Sequence, residues 1–405
     1  MRWAELIAVN GNFRARDARR DRLVGLARTL GHRHRSGAVD HDRSATVHRA
    51  LIDDLCAHGY HAAPIEHRYG GGGHRLVDIV MAQACLAEFD PATALGIGMH
   101  LMVVGGETWQ HRWPEWRRRD VFREVTERGA LLNVFATEPE IGSPQGVEAP
   151  RTALRPVGEG RWELHGVKSY STFAPALTYA LVHASVSDGS GDVARVIVRM
   201  DDPCVRITET WDAIGMRATA SHEVAFEGVP VRDADLLARH PFSVRAQRPA
   251  MSPWFALPVA AAYLGIARAA RDEAVTSLER AAPFRTPLAM AEGQHLLGEI
   301  EHRLTVAESI LTAAAAEADD DRRTAAGLSP LEAAAKLEVT RAATEVVDLA
   351  VRVAGGSALQ RGGRLERAWR DVRSGSVHPP TEASALGLLA SEAIERTRQA
   401  TLVAQ

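Results

Sequence analysis

The period of the apolar residues changes twice along this chain, and that double change limits the folds open to it more than any single motif. Up to about residue 130 apolar side chains recur at steps of three and four, as in Ala45 to His58 and Leu76 to Phe89, the spacing of helices packed on one face. Asp90 and Pro91 break the second of these runs. From about 131 to 235 strand-like runs follow at Trp162 to Val167, Tyr179 to Ala184, Val193 to Met200, Val205 to Ile207 and Val224 to Phe226, with Ser187 to Gly191 as a hairpin turn. Helical spacing returns after 250. Val259, Ala262, Tyr263, Ile266 and Ala270 make one stripe; Ala335, Val339, Ala342, Val346, Leu349 and Val353 make another, ended by Gly355 and Gly356 in C-cap position. Strands this closely spaced leave no room for helices between them. The order all-helix, all-strand, all-helix therefore predicts an α+β fold around an antiparallel sheet or small barrel.

With 405 residues, 46% hydrophobic and 24% charged, the chain can bury a large core. A formal net charge of -3 and a pI near 6.6 give no general attraction to nucleic acid or an anionic membrane. The basic runs Arg14 to Arg22 and Arg117 to Arg119 alternate with acidic and apolar residues, as solvated helix faces do. Cys56, Cys85 and Cys204 are odd in number, far apart and without metal-ligand spacing, which argues against a disulfide framework or a zinc site and fits a reducing cytoplasm. Met1 to Phe13 lacks a signal core, and no apolar run reaches the roughly 20 residues that span a bilayer. Gly70 to Gly73 has no Lys-Ser/Thr after it and no strand before it, so it reads as a flexible connector and not a phosphate cradle.

Ala136-Thr137-Glu138-Pro139-Glu140-Ile141-Gly142-Ser143 lies where the first strand ends. A strand-end turn of this kind exposes backbone amides and a hydroxyl. The stretch resembles the Thr-Glu-Pro, then Gly-Ser, turn of the acyl-CoA dehydrogenase family. Gly166-Val167-Lys168-Ser169-Tyr170-Ser171-Thr172 is similar to the same family's Gly-x-Lys-x-aromatic-x-Thr strand, and Trp211 to Ser221 to its Gly-Met-Arg-x-Thr-x-Ser stretch. Tyr-Ser-Thr resembles the hydroxylating branch that includes dibenzothiophene monooxygenase. The resemblance implies a helical domain over 1–130, a β domain over 131–240 and a four-helix bundle over 241–405. It implies FAD or FMN as cofactor, with Thr137 at the ring edge, Ser143 turned to the substrate, and Tyr170, Ser171 and Thr172 along the ring, Thr172 near the redox-active N5. Arg280, Phe284, Gly355 and Gly356 match the places that hold the pyrophosphate and adenine across a subunit boundary, which implies a homotetramer. There Ala358 departs from the family's further glycine, and the Arg to Phe spacing is one residue longer.

The family's dehydrogenases take the proton next to a thioester with a carboxylate, from the final loop or from the helix after the sheet. Here Arg370-Asp371 is followed by Ser374-Gly375-Ser376-Val377-His378-Pro379-Pro380, with proline in the place of the acid, and Phe255 and Ala256 offer none in the other place. His378 is the natural replacement, since a near-neutral imidazole can take or give a proton. His100 matches a polar pocket position of the related monooxygenases. The resulting expectation is a flavin-dependent oxidoreductase acting on a small molecule with reduced flavin and dioxygen. A separate reductase would supply the flavin, because no dinucleotide fingerprint is present. The alternatives are a dehydrogenase of acyl-CoA or acyl-carrier-protein thioesters with an unusual base, and an inactive binding protein on the same fold.

Overall fold

The computed structural model describes residues 18–139, 148–242, 251–284, 286–321 and 327–403. The N-terminal part holds α1 (Ala18–His34), α2 (Gly37–Ser44), α3 (Arg49–Ala57), α4 (Leu76–Ala87), α5 (Pro91–Gln110) and α6 (Glu115–Arg128). Helices α4 and α5 are apolar on nearly all sides and buried accordingly. Asp90 ends one helix by starting the next. Its carboxylate accepts the Thr93 N–H at 3.0 Å, and Pro91 occupies the first turn, where its missing N–H costs nothing. The glycine stretch is no flexible connector: Gly73 N–H donates to Ile65 O and His74 N–H to Ala63 O, both at 2.8 Å. A Cβ on Gly71 would meet Ile65 O at 2.2 Å, so glycine is needed for this close backbone approach.

The strands are β1 (Leu132–Phe135), β2 (Ala153–Gly158), β3 (Arg161–Lys168), β4 (Tyr179–Val186), β5 (Asp192–Arg199), β6 (Val205–Thr208), β7 (Glu223–Arg232) and β8 (Leu236–Pro241). They form one sheet in the order β6-β7-β3-β2-β4-β5-β8, with β1 also on β4. The sheet is mostly antiparallel, but β1 and β2 both run parallel to β4. These two share one edge of β4 end to end, β1 against Tyr179 to Val182 and β2 against Ser185 and Val186. The Thr-Glu-Pro turn follows β1 directly, at residues 137–139.

The C-terminal part consists of α7 (Pro253–Ala281), α8 (Pro287–Asp321), α9 (Pro330–Ala354), the short α10 (Arg364–Val372) and α11 (Glu382–Val403). Helices α7, α8 and α9 pack on one another, α9 also on α11, and α7 reaches back to α4 and α5. A single apolar cluster consequently runs through all three parts of the chain. The Ser329–Glu332 capping box opens α9, and Gly355, at φ 75°, closes it. A Cβ on Gly215 would meet Arg370 O at 2.3 Å, and Met216 N–H donates to Asp371 Oδ1 at 2.6 Å, so the loop after β6 lies directly on α10. No helix among the described residues is long and apolar enough to cross a membrane.

Candidate active site

Strand β3 ends in Lys168, a fully buried lysine whose Nζ lies 2.6 Å from Glu138 Oε1. Glu138 also accepts the backbone N–H of Arg151 at 2.8 Å and of Thr152 at 3.0 Å, so one carboxylate ties the turn after β1 to the residues just before β2. Burial pushes the Glu138 pKa up, but the bonds to Lys168 and Thr152 outweigh it and the group ends below its usual value. Thr137, half-buried, is held by its carbonyl, which accepts Ser169 N–H at 3.0 Å. Ser143 lies outside the described residues.

Past Lys168 the backbone turns sharply, with Tyr170 at φ 52° and Phe173 at φ 66°. Non-glycine residues keep such angles only where neighbours fix them. Ser171 N–H donates to His222 O at 3.2 Å and Phe173 N–H to Thr219 O at 2.9 Å, which supplies the constraint. The turn throws Tyr170 outward, 66% exposed, edge-on to Trp211 with ring centroids 5.6 Å apart. A bare aromatic pair of this kind fits a planar ring system as its missing partner. Thr172 is half-buried beside it, Oγ1 2.9 Å from Ser221 Oγ. Ser171 does not join the shelf: it is buried, its hydroxyl aimed at Lys168 O at 3.5 Å.

The C-terminal loop carries the second group of candidate residues. His378 is half-buried, with Nδ1 2.9 Å from the hydroxyl of Tyr263 on α7. Desolvation and the nearby Lys336 push the His378 pKa down to about 4, and burial raises that of Tyr263 well above 10.0, so the pair is neutral at pH 7. Among the described residues no carboxylate hydrogen-bonds to either member. The loop is held by Lys336 of α9, whose Nζ donates to His378 O at 2.6 Å and to Gly375 O at 3.0 Å. Buried without a counter-charge, Lys336 falls to a pKa of about 8. Asp371, raised by burial to about 6, has one oxygen tied to Met216 N–H.

His100 has a different position from the one expected of a pocket group. Nε2 lies 3.0 Å from His61 O and Nδ1 accepts Leu132 N–H at 3.0 Å, so both ring nitrogens serve the backbone. Burial drives its pKa down to about 3, which fits a neutral bridge between α5 and β1. Arg280 and Phe284, both exposed, sit at the end of α7, and Gly355 and Gly356 at the end of α9 with open space around them, so these four lie on the bundle and apart from the shelf. Sequence reading passed over Tyr263, which counted as one apolar position in a stripe, and Lys336. One signal was available: the chain contains only two lysines, Lys168 and Lys336, amid abundant arginine, and both prove to be buried.

This fold and site define an oxidoreductase of the flavin-dependent, acyl-CoA dehydrogenase-like class. Family models match in sequence order: acyl-CoA dehydrogenase N-terminal domain over residues 24–131, middle domain over 133–229 and C-terminal domain over 254–394. The chain belongs to the acyl-CoA dehydrogenase family. It is 35% identical to a putative acyl-CoA dehydrogenase, YdbM, of Bacillus subtilis, over 88% of this chain and 93% of that protein. It is 32% identical to the L-evernosamine nitrososynthase of a Micromonospora species, over 88% of this chain and 86% of the other. Among solved structures, KijD3 in complex with FMN and dTDP-3-amino-2,3,6-trideoxy-4-keto-3-methyl-D-glucose superposes with a TM-score of 0.81 at 27% identity, covering 94% of this chain and 95% of that one.

Proposed function

We propose that this protein oxygenates the nitrogen of a small amine, with His378 and Tyr263 as the proton-handling pair. The observation that carries the reading is the neutral imidazole–phenol pair between α7 and the loop after Arg370-Asp371, where thioester dehydrogenation needs a carboxylate. The likeness to L-evernosamine nitrososynthase and to KijD3 with its amino-sugar ligand supports an amine acceptor, and the FMN of the KijD3 complex favours FMN over FAD. The flavin fits against Tyr170, with Thr172 and Thr137 at its polar edge. When bound in reduced form it supplies two electrons to dioxygen, so that one oxygen atom passes to the amine and the other leaves as water. Neutral His378 accepts the proton that the amine nitrogen sheds once the new N–O bond has made it acidic, and Tyr263 orients the ring. Lys336 holds the loop by two carbonyls and adds no base at neutral pH.

Reduction of the flavin is assigned to a separate reductase, and the assembly to a homotetramer in which Arg280, Phe284, Gly355 and Gly356 meet a neighbour's cofactor. Oxygen uptake tests the reading: with reduced FMN from a flavin reductase and NADH, a dTDP-amino sugar should gain one oxygen atom by mass. Uptake that yields only hydrogen peroxide, with substrate unchanged, contradicts it. A second reading, thioester dehydrogenation, is favoured by the identity to YdbM. A flavin-free binding role would show as a colourless protein that ignores added flavin.

A further inference from the structure

The hydroxyl beside the aromatic shelf belongs to a chain of three, and its inner end fixes its direction. Thr219 Oγ1 lies 2.8 Å from Met216 O, a carbonyl that can only accept, so the single hydroxyl proton of Thr219 points there. Ser221 Oγ is 2.8 Å from Thr219 Oγ1 and must therefore donate to it. Thr172 Oγ1, 2.9 Å from Ser221 Oγ, must in turn donate to Ser221, whose own proton is already committed. Every proton runs inward. Thr172 is left with lone pairs alone on its open side, and it is the one half-buried member, since Thr219 and Ser221 are 1% and 5% exposed.

Reduction of an isoalloxazine converts a bare ring nitrogen, an acceptor, into an N–H donor. We infer that Ser221 and Thr219 are positioning residues that turn Thr172 into a fixed acceptor, so that the site selects reduced over oxidised flavin. The inference rests on the reading above that a flavin lies against Thr172. A threonine free to rotate would bond either redox form; this one, held by two residues that never touch the cofactor, is complementary to one form and opposed to the other. Such selection suits a protein that must capture reduced flavin from solution in competition with oxidised flavin.

The test is the ratio of dissociation constants for oxidised and dithionite-reduced FMN, measured anaerobically on the full chain. Ser221→Ala frees the Thr172 proton and should lower the ratio of oxidised to reduced Kd about tenfold, the worth of one hydrogen bond gained by the oxidised form. The bound midpoint potential should fall by about 30 mV. Thr219→Val removes the inner anchor and should act in the same direction from a residue outside the site, while Thr219→Ser, which keeps the hydroxyl, should restore the wild-type ratio. A ratio unchanged within twofold in both Ser221→Ala and Thr219→Val, with FMN still bound, overturns the inference. Wild-type protein that binds FMN in neither form overturns the parent reading and this one with it.

Discussion

The two lysines hold the two sides of the site by opposite means. Lys168 meets a carboxylate at 2.6 Å, and that carboxylate also gathers the amides of Arg151 and Thr152, so the β side is fixed by a complete buried network. Lys336 meets two carbonyls and, among the described residues, no carboxylate, and its pKa drops to about 8. The contrast shows that burial alone does not fix what a lysine does; the partner decides whether its charge is locked in place or left titratable. The side that would only hold the flavin has the locked charge. The side that would move a proton holds groups whose pKa burial has shifted, His378 down to about 4 and Asp371 up to about 6. The two are joined through Met216, whose carbonyl ends the hydroxyl chain and whose N–H bonds to Asp371.

The largest expected effect is on the locked side. Lys168→Met leaves Glu138 charged and buried, and should cost about 3–5 kcal/mol in urea denaturation, as removal of one member of a buried pair does. Lys336→Met removes two hydrogen bonds but also the cost of burying an unpaired amine, so its loss should be clearly smaller; equal losses would break the comparison. Next comes His378→Ala. It should lower turnover about 100-fold or more while FMN binding stays intact, and unchanged turnover would remove the imidazole from the mechanism. A smaller effect follows from His100→Ala, which strands Leu132 N–H and His61 O and should cost about 1–3 kcal/mol of stability, with turnover of the folded protein preserved.

The pH response sharpens the contrast further. Between the Lys336 pKa of about 8 in the fold and 10.5 in the unfolded chain, the unfolded state binds the extra proton, so stability rises with pH across that window. Lys336→Met should abolish that rise. Glu138, lowered in the fold, contributes stability above its ordinary 4.5 that is lost as pH falls through its folded value, and Glu138→Gln should flatten the acid side. Stability curves that fail to separate at opposite ends of the pH range would show that the lysines are equivalent after all.

Local signals carried the overall architecture well. The two changes of period gave the helical, sheet and helical parts, Asp90 and Gly355 marked helix ends, and Ser187 to Gly191 joined β4 to β5. β2 was passed over because Ala153–Gly158 is short and interrupted by Arg155, Pro156 and Gly158, and β8 because Leu236–Pro241 is a short edge strand with Arg, His and Pro. Periodicity could not show that β1 and β2 share an edge of β4, since register depends on partners far along the chain. The same limit governed the site. Tyr263 and His378 are 115 residues apart, and a helix stripe gives no hint that one of its members ends in a hydroxyl aimed at a loop. His100 reads as a pocket group from its match to a polar position of the related monooxygenases; only its partners 32 and 39 residues away reveal a backbone bridge.

Among the described residues no carboxylate hydrogen-bonds to His378 or Tyr263, so thioester dehydrogenation is expected to lack its base. Anaerobic mixing of the FMN- or FAD-loaded protein with short- and medium-chain acyl-CoA, followed by flavin absorbance, tests that directly. No bleaching is expected on the timescale of turnover, whereas rapid bleaching with release of an enoyl-CoA would contradict an oxygenase without a carboxylate base.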